Sequence, residues 1–245
     1  MIVRRQGASQ LLVTQPDHAA LAATIIGGWL SGGFPDAPGR SVILHAVREH
    51  DNGWRDVDVA PLVDVATGRL LDFISAPDEI RQSIWPRGIE RLAATPYAAA
   101  LVAQHALHIY RRYRGDRAWD PFFEEMEASR DRSLRSAAPL TMDDLRRDYF
   151  FVRVGDLASL TFCNGWTEPQ TDDAGPGYTI QLDGTRLTIA PDPFGGREIP
   201  LVICARELPD RPFRSTSDAQ EAFASAPTIV ISGVACGRTK GVPGP

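Results

Sequence analysis

The hydrophobic period of the chain changes once, near residue 165, and that change bounds what it can fold into. Upstream, apolar residues recur three and four positions apart, the spacing that gathers them on one face of an α-helix. Downstream they alternate with polar residues, as on the two faces of a β-strand. The pattern predicts a mostly α fold. It divides the chain into a helical bundle over 1–165, a small β-rich module over 166–236 and a disordered tail over 237–245.

Within the first part, Pro16 opens a helix running to about residue 30, with Leu21, Ala22, Ile25 and Trp29 on one stripe. A second helix fits 41–51, where Ile43, Ala46 and Val47 share a face. Residues 56–73 show no clean period and read as a long, partly ordered loop. A third helix spans 96–113, with Thr95 as the expected N-cap and Pro96 in the first turn. Residues 122–136 read as a charged helix with a solvated face. The stretch 140–163 begins with Thr141 three residues before Asp144, the spacing of a capping box.

In the second part, Asp183-Gly184 marks a hairpin, and further strands are expected over 198–209 and 227–236. A short helix belongs between those two, opened by Ser217. The PDPFGG stretch at 191–196 reads as a rigid turn, and Phe194 as either an exposed anchor or a packing residue.

Composition narrows the function classes. A net charge of −5 argues against broad affinity for nucleic acid or anionic lipid. Three widely spaced cysteines, Cys163, Cys204 and Cys236, form neither a disulfide framework nor a thiolate zinc site. No stretch suits a secretory signal or a membrane span, so a soluble, cytoplasmic protein with a small-molecule substrate is the default expectation. Oligomeric state stays open, with a homodimer as the assembly considered.

The polar residues on the apolar faces carry the chemistry. His18 sits one turn before Leu21 and Ala22, His50 continues the face of Ile43, Ala46 and Val47, and Asp51 follows it at a quarter turn. His105 lies between Leu101 and Ile109, and Asp156 is flanked by Val152 and Leu160. Four helices thus each direct an imidazole or a carboxylate at the helical core. A lone buried carboxylate needs a cation or strong hydrogen bonds, so the joint pattern points to a metal centre. His108, one turn past His105, is a candidate ligand or substrate contact, and His45 falls on another side of its helix. Asn52 and Trp54, just after the doublet, either line a pocket mouth or serve as a helix cap and a core aromatic.

The combination of an early histidine, the EHDNGW doublet and a distant aspartate in GDLASL resembles the HD superfamily of metal-dependent phosphohydrolases. More closely, QPDHAALA, EHDNGW, TGRLLDF, PYAAALVAQHALHIY, GDLASL and PDPF look like an uncharacterised bacterial family carrying an HD-like core. The resemblance implies an HD-like bundle in which His18, His50, Asp51 and Asp156 hold a first metal and His105, with His108, serves a second. Asp51 and His105 are then the expected catalytic residues. Donors without thiolates suit Fe, Mn, Zn, Ni or Mg, as one or two divalent ions.

The leading expectation is a hydrolase of a phosphomonoester or nucleotide-like molecule, with Arg55, Arg87, Arg111 and Arg112 as candidate phosphate clamps. Two other readings stand beside it. One is an HD-fold di-iron oxygenase using four histidines and two aspartates, and the other a non-enzymatic, metal-stabilised binding protein.

Overall fold

Thr14 starts the first helix, α1 (Gln15–Gly27): its hydroxyl accepts from the Asp17 amide at 3.1 Å, and Pro16 occupies the first turn. In the computed structural model, which describes residues 1–172 and 177–238, five more long helices follow before residue 165. They are α2 (Arg40–Glu49), α3 (Asp78–Glu90), α4 (Pro96–Ile109), α5 (Asp120–Ser136) and α6 (Met142–Asn164). The capping box at Thr141 and Asp144 closes in both directions, and Gly165 ends α6 in the left-handed conformation, φ 70°. Thr95 precedes α4 but does not cap it through its side chain, because its hydroxyl donates back to the Leu92 carbonyl at 3.3 Å.

The mostly α expectation fails. About 48% of the chain is helical and 21% is strand, and a curled seven-stranded sheet draws on both ends of the sequence. Strands β1 (Ile2–Gln6) and β2 (Ser9–Val13) form a hairpin, while β3 (Leu62–Val63) and β4 (Leu70–Leu71) make a separate small pair within the expected loop. Then come β5 (Gln170–Thr171), β6 (Thr179–Asp183), β7 (Arg186–Ala190), β8 (Glu198–Pro209), helix α7 (Thr216–Ser225) and β9 (Thr228–Gly237). The order in the large sheet is β1-β2-β8-β9-β7-β6-β5, antiparallel throughout except for the β7–β9 pair.

The bundle expectation overlooked β1 and β2 because their signal is short and interrupted by Arg4 and Arg5. Gly7 joins them with φ 62°, at the first central position of a two-residue turn, where the favoured hairpin geometry calls for glycine. On β2 the side chains then separate by face. Leu11 and Val13 enter the main core, and Leu12 enters a smaller cluster with Leu208, Phe213 and Ala219 beneath α7.

The main core is continuous across residue 165. Ile2, Leu11 and Val13 join Ile25 and Ile26 of α1, Val152 and Phe162 of α6, and Ile180, Ile189 and Leu201 of the later strands. Phe194 is fully buried edge-on against Trp29, with ring centres 6.2 Å apart, so it is a packing residue and no exposed anchor. Of the expected tail, Gly237 belongs to β9, and residues 239–245 lie outside the described residues. Among the described residues, no helix is long and apolar enough to cross a membrane.

Candidate metal centre

Three close backbone approaches bring the donor-bearing elements together. Gly53 lies so near α3 that a β-carbon there would stand 2.0 Å from the Ile84 carbonyl oxygen. Gly88 answers from α3, where a β-carbon would meet the Asn52 side-chain oxygen at 2.6 Å. Beside Asp156, Gly155 lets α6 settle on Ile26 of α1 and Val47 of α2, since a β-carbon would be 2.8 and 3.2 Å from their side chains. These glycines act through the space they leave for neighbouring elements.

The result is convergence. His18 of α1 has its Nε2 2.8 Å from Asp51 Oδ2. His50, the last residue of the α2 turn, has its Nε2 3.3 Å from Asp156 Oδ1 and 3.8 Å from Asp51 Oδ2. His105 of α4 approaches Asp156 Oδ2 through Nε2 at 3.7 Å. Among the described residues, these five side chains form two donor groups, His18–His50–Asp51 and His50–His105–Asp156, with ligand atoms of each group within 4.8 Å of one another.

Partners behind the cluster fix which nitrogen of each ring faces inward. The Ser159 hydroxyl donates to the Asp156 carbonyl at 3.0 Å, so its oxygen accepts from His18 Nδ1–H at 2.9 Å. His50 Nδ1–H donates to the Val47 carbonyl at 2.7 Å. His105 Nδ1 meets the Tyr149 hydroxyl at 3.0 Å. With Nδ1 engaged in every case, it is Nε2 that each imidazole offers to the centre, the arrangement by which outer partners orient metal ligands.

The decisive atom is His50 Nε2. It is buried and makes no well-aligned hydrogen bond among the described residues; its contacts are ion pairs with Asp156 at 3.3 Å and Asp51 at 3.8 Å. A buried polar atom left unmet costs about 1–3 kcal/mol, so its persistence calls for an explanation. A divalent ion supplies one. Ligands about 2.0–2.2 Å from an ion stand roughly 3.0–3.4 Å from each other, close to the separations here. In the metal-free chain His18 Nε2 and Asp51 Oδ2 hydrogen-bond at 2.8 Å, a contact that a bound ion would replace.

Electrostatics follow from burial and proximity. Burial works against charge on His50, but Asp51 and Asp156 outweigh it and raise its pKa to about 9. Burial dominates at His105 and lowers its pKa to about 4, only partly countered by Asp156. For Asp156, burial is again the largest influence and raises the pKa, but His50, His105 and His18 together bring it down to about 2. Asp51 is likewise shifted down, with burial overcome by His50 and His18.

The remaining candidates stand apart from the cluster. His108 rests its ring on Tyr149, centres 5.5 Å apart, and receives a bond from Arg111 Nη1 at Nε2, 3.1 Å. His45 belongs to neither donor group. Asn52 and Trp54 are both buried, Asn52 against Gly88 of α3. Ser159 and Tyr149 lay on the α6 face read from the sequence, but their roles depend on side-chain partners in α1 and α4. Helical spacing carries no signal for that.

No curated protein and no solved structure matches the chain. One family model does, described as a protein of unknown function (DUF3891), and it covers residues 1–210. The chain belongs to the DUF3891 family.

Proposed function

We propose that this protein is a metal-dependent hydrolase acting on a phosphomonoester or nucleotide-like small molecule. The observation that carries the reading is the convergence of the buried Nε2 of His50, which makes no well-aligned hydrogen bond, with two carboxylates and two more oriented imidazoles. His18, His50, Asp51 and Asp156, with His105 adjacent, would hold a divalent ion, which when bound would acidify a water and polarise a phosphoryl oxygen.

The protein's own groups divide the rest of the work. Asp51 and Asp156 are the parts of the cluster that reach the surface, their side chains 8% and 15% exposed against 0–3% for the imidazoles. A substrate therefore meets the site across the carboxylate edge. His105, neutral at ordinary pH, is suited to ligate through Nε2 or to accept a proton beside Asp156.

Among the four candidate clamps, Arg55 is held by Glu49 at 2.7 Å, Arg87 lies 3.8 Å from Asp56, and Arg112 donates to Tyr113 at 3.0 Å. Arg111 donates to the His108 carbonyl and ring, and among the described residues no carboxylate engages it, so its charge is available to an anion. Its field also reaches Tyr149, the partner of His105.

Two features count against the other readings. A two-iron oxygenase needs a fourth histidine, yet His108 is turned to Tyr149 and Arg111, and the two donor groups share one nitrogen that cannot serve two ions. A purely structural ion needs closed coordination, whereas Asp156 keeps 15% of its side chain exposed at the edge of the cluster. The test is metal analysis of the purified chain followed by a phosphatase and phosphodiesterase panel with Mn, Zn, Fe, Ni and Mg. Activity that disappears in Asp51→Asn is expected; a metal-loaded protein inert across the panel rejects the hydrolase.

A further inference from the structure

Tyr149, Arg153 and Asp156 follow one another along α6 at intervals of four and three residues, on one stripe of the helix. The Tyr149 hydroxyl contacts His105 Nδ1 at 3.0 Å. Arg153 lies over the Tyr149 ring, 5.8 Å from its centre. The same guanidinium makes two parallel bonds to Asp172, Nε to Oδ1 at 2.7 Å and Nη2 to Oδ2 at 2.9 Å. Asp172 directly follows β5, its side chain is 2% exposed, and it belongs to neither donor group.

We infer that Asp172 is a positioning residue of the metal centre: by clamping Arg153 it keeps Tyr149 against His105 and holds the guanidinium away from Asp156. The inference rests on reading the cluster as a metal centre. Its physical basis is a competition between two carboxylates for one arginine. Asp156 stands three residues beyond Arg153, within the reach of helical side-chain pairs. Forked arginine–carboxylate bonds are among the strongest polar contacts in proteins. A guanidinium released onto Asp156 would take the oxygens that a cation needs and would leave the Tyr149 ring uncovered. Asp172 offers two acceptors in the required geometry, whereas an asparagine offers one.

The test uses the full chain and two readouts, zinc affinity by competition titration and the imidazole nitrogen signals of His105 in metal-free protein. Asp172→Asn is expected to weaken zinc binding by about 10–100-fold, the range for partners of metal ligands. Adding Arg153→Gln to that variant is expected to recover the part of the loss that comes from a guanidinium on Asp156, while the uncovered Tyr149 ring keeps affinity below that of the parent. Tyr149→Phe is expected to change the His105 tautomer signals while the circular dichroism stays as in the parent. Wild-type zinc affinity in Asp172→Asn overturns the inference, and so does a double variant as weak as the single one. If Asp172→Asn does not fold, unchanged His105 signals in Tyr149→Phe overturn it instead. A parent protein without affinity for any of the candidate metals rejects the metal centre itself, and the metal-free nitrogen signals then still decide the Tyr149 contact.

Discussion

Along one face of the molecule, Phe150 and Phe151 of α6 join Trp29, Phe34 and Tyr178 around a cavity of about 400 Å³. Farther along the same helix, Asp156 and Ser159 complete a cluster with a different kind of wall, built of imidazoles and carboxylates. The cavity carries three arginines, but each has an acid: Arg146 pairs with Asp143, Arg147 with Asp144 and Asp148, and Arg153 with Asp172. Its aromatic rings satisfy one another, with Phe34 and Phe151 stacked at 3.9 Å. The cluster instead keeps, between two carboxylates, a buried nitrogen that makes no well-aligned hydrogen bond. Volume marks where something fits, whereas unmet bonding marks where a bound ion would relieve a cost.

Three measurements put that contrast at risk, ranked by their effect on metal affinity. His50→Ala removes the nitrogen common to both donor groups and is expected to weaken binding by more than about a hundredfold, beyond what loss of an outer partner costs. Phe151→Ala at the cavity is the matched control. It should cost about 3 kcal/mol of stability, read by denaturant melts, and leave metal affinity unchanged. A cavity variant that lowers metal content would erase the distinction.

The second measurement is pH. His50 in the metal-free protein holds its proton to about pH 9, so binding at neutral pH must displace that proton. Affinity is expected to tighten about tenfold per unit between pH 7 and 9, the slope of one released proton. Stability of the metal-free chain should move the opposite way over that range. A histidine whose pKa rises on folding stabilises below its unfolded value of 6.5, and that contribution fades as pH climbs through about 9. His105, lowered to about 4, has the reverse sign and removes stability as pH falls from 6.5 towards 4. Asp156 adds a loss as pH falls below 3.8 and through about 2. These three groups together place the metal-free optimum near their crossover at pH 6.5, which thermal melts across pH will check.

The smallest effect belongs to Ser159→Ala. It leaves the five donors in place and frees only His18 Nδ1, so a loss of about tenfold in affinity is expected by calorimetric titration. A loss equal to that of His50→Ala would mean that Ser159 is itself a ligand and that the inward nitrogen of His18 has been misassigned.

Much of the site was legible before any coordinates. His18, His50, His105 and Asp156 each sit on an apolar helical stripe, with Asp51 a quarter turn beyond His50, and a charged or imidazole group on such a stripe needs a partner wherever the helix packs. His108 was less readable, since one turn from His105 is compatible with the same face, and only Arg111 and Tyr149 draw it elsewhere. The fold was read less well than the convergence of these five side chains. Local period found α1, α2, α4, α5 and α6, but α3 was left unassigned because Pro86 interrupts its pattern, and β1 and β2 went unseen.

The sequence alone determined which side chains face inward along each helix, because that depends on residue spacing and the fixed pitch of the backbone. Tertiary structure alone decided that β1 and β2 join the sheet of β5 to β9, and that Ser159, Val47 and Tyr149 pin the imidazoles from behind. Strand pairing and side-chain partnership join residues far apart in the chain, and their energy comes from approach distances that no local pattern encodes.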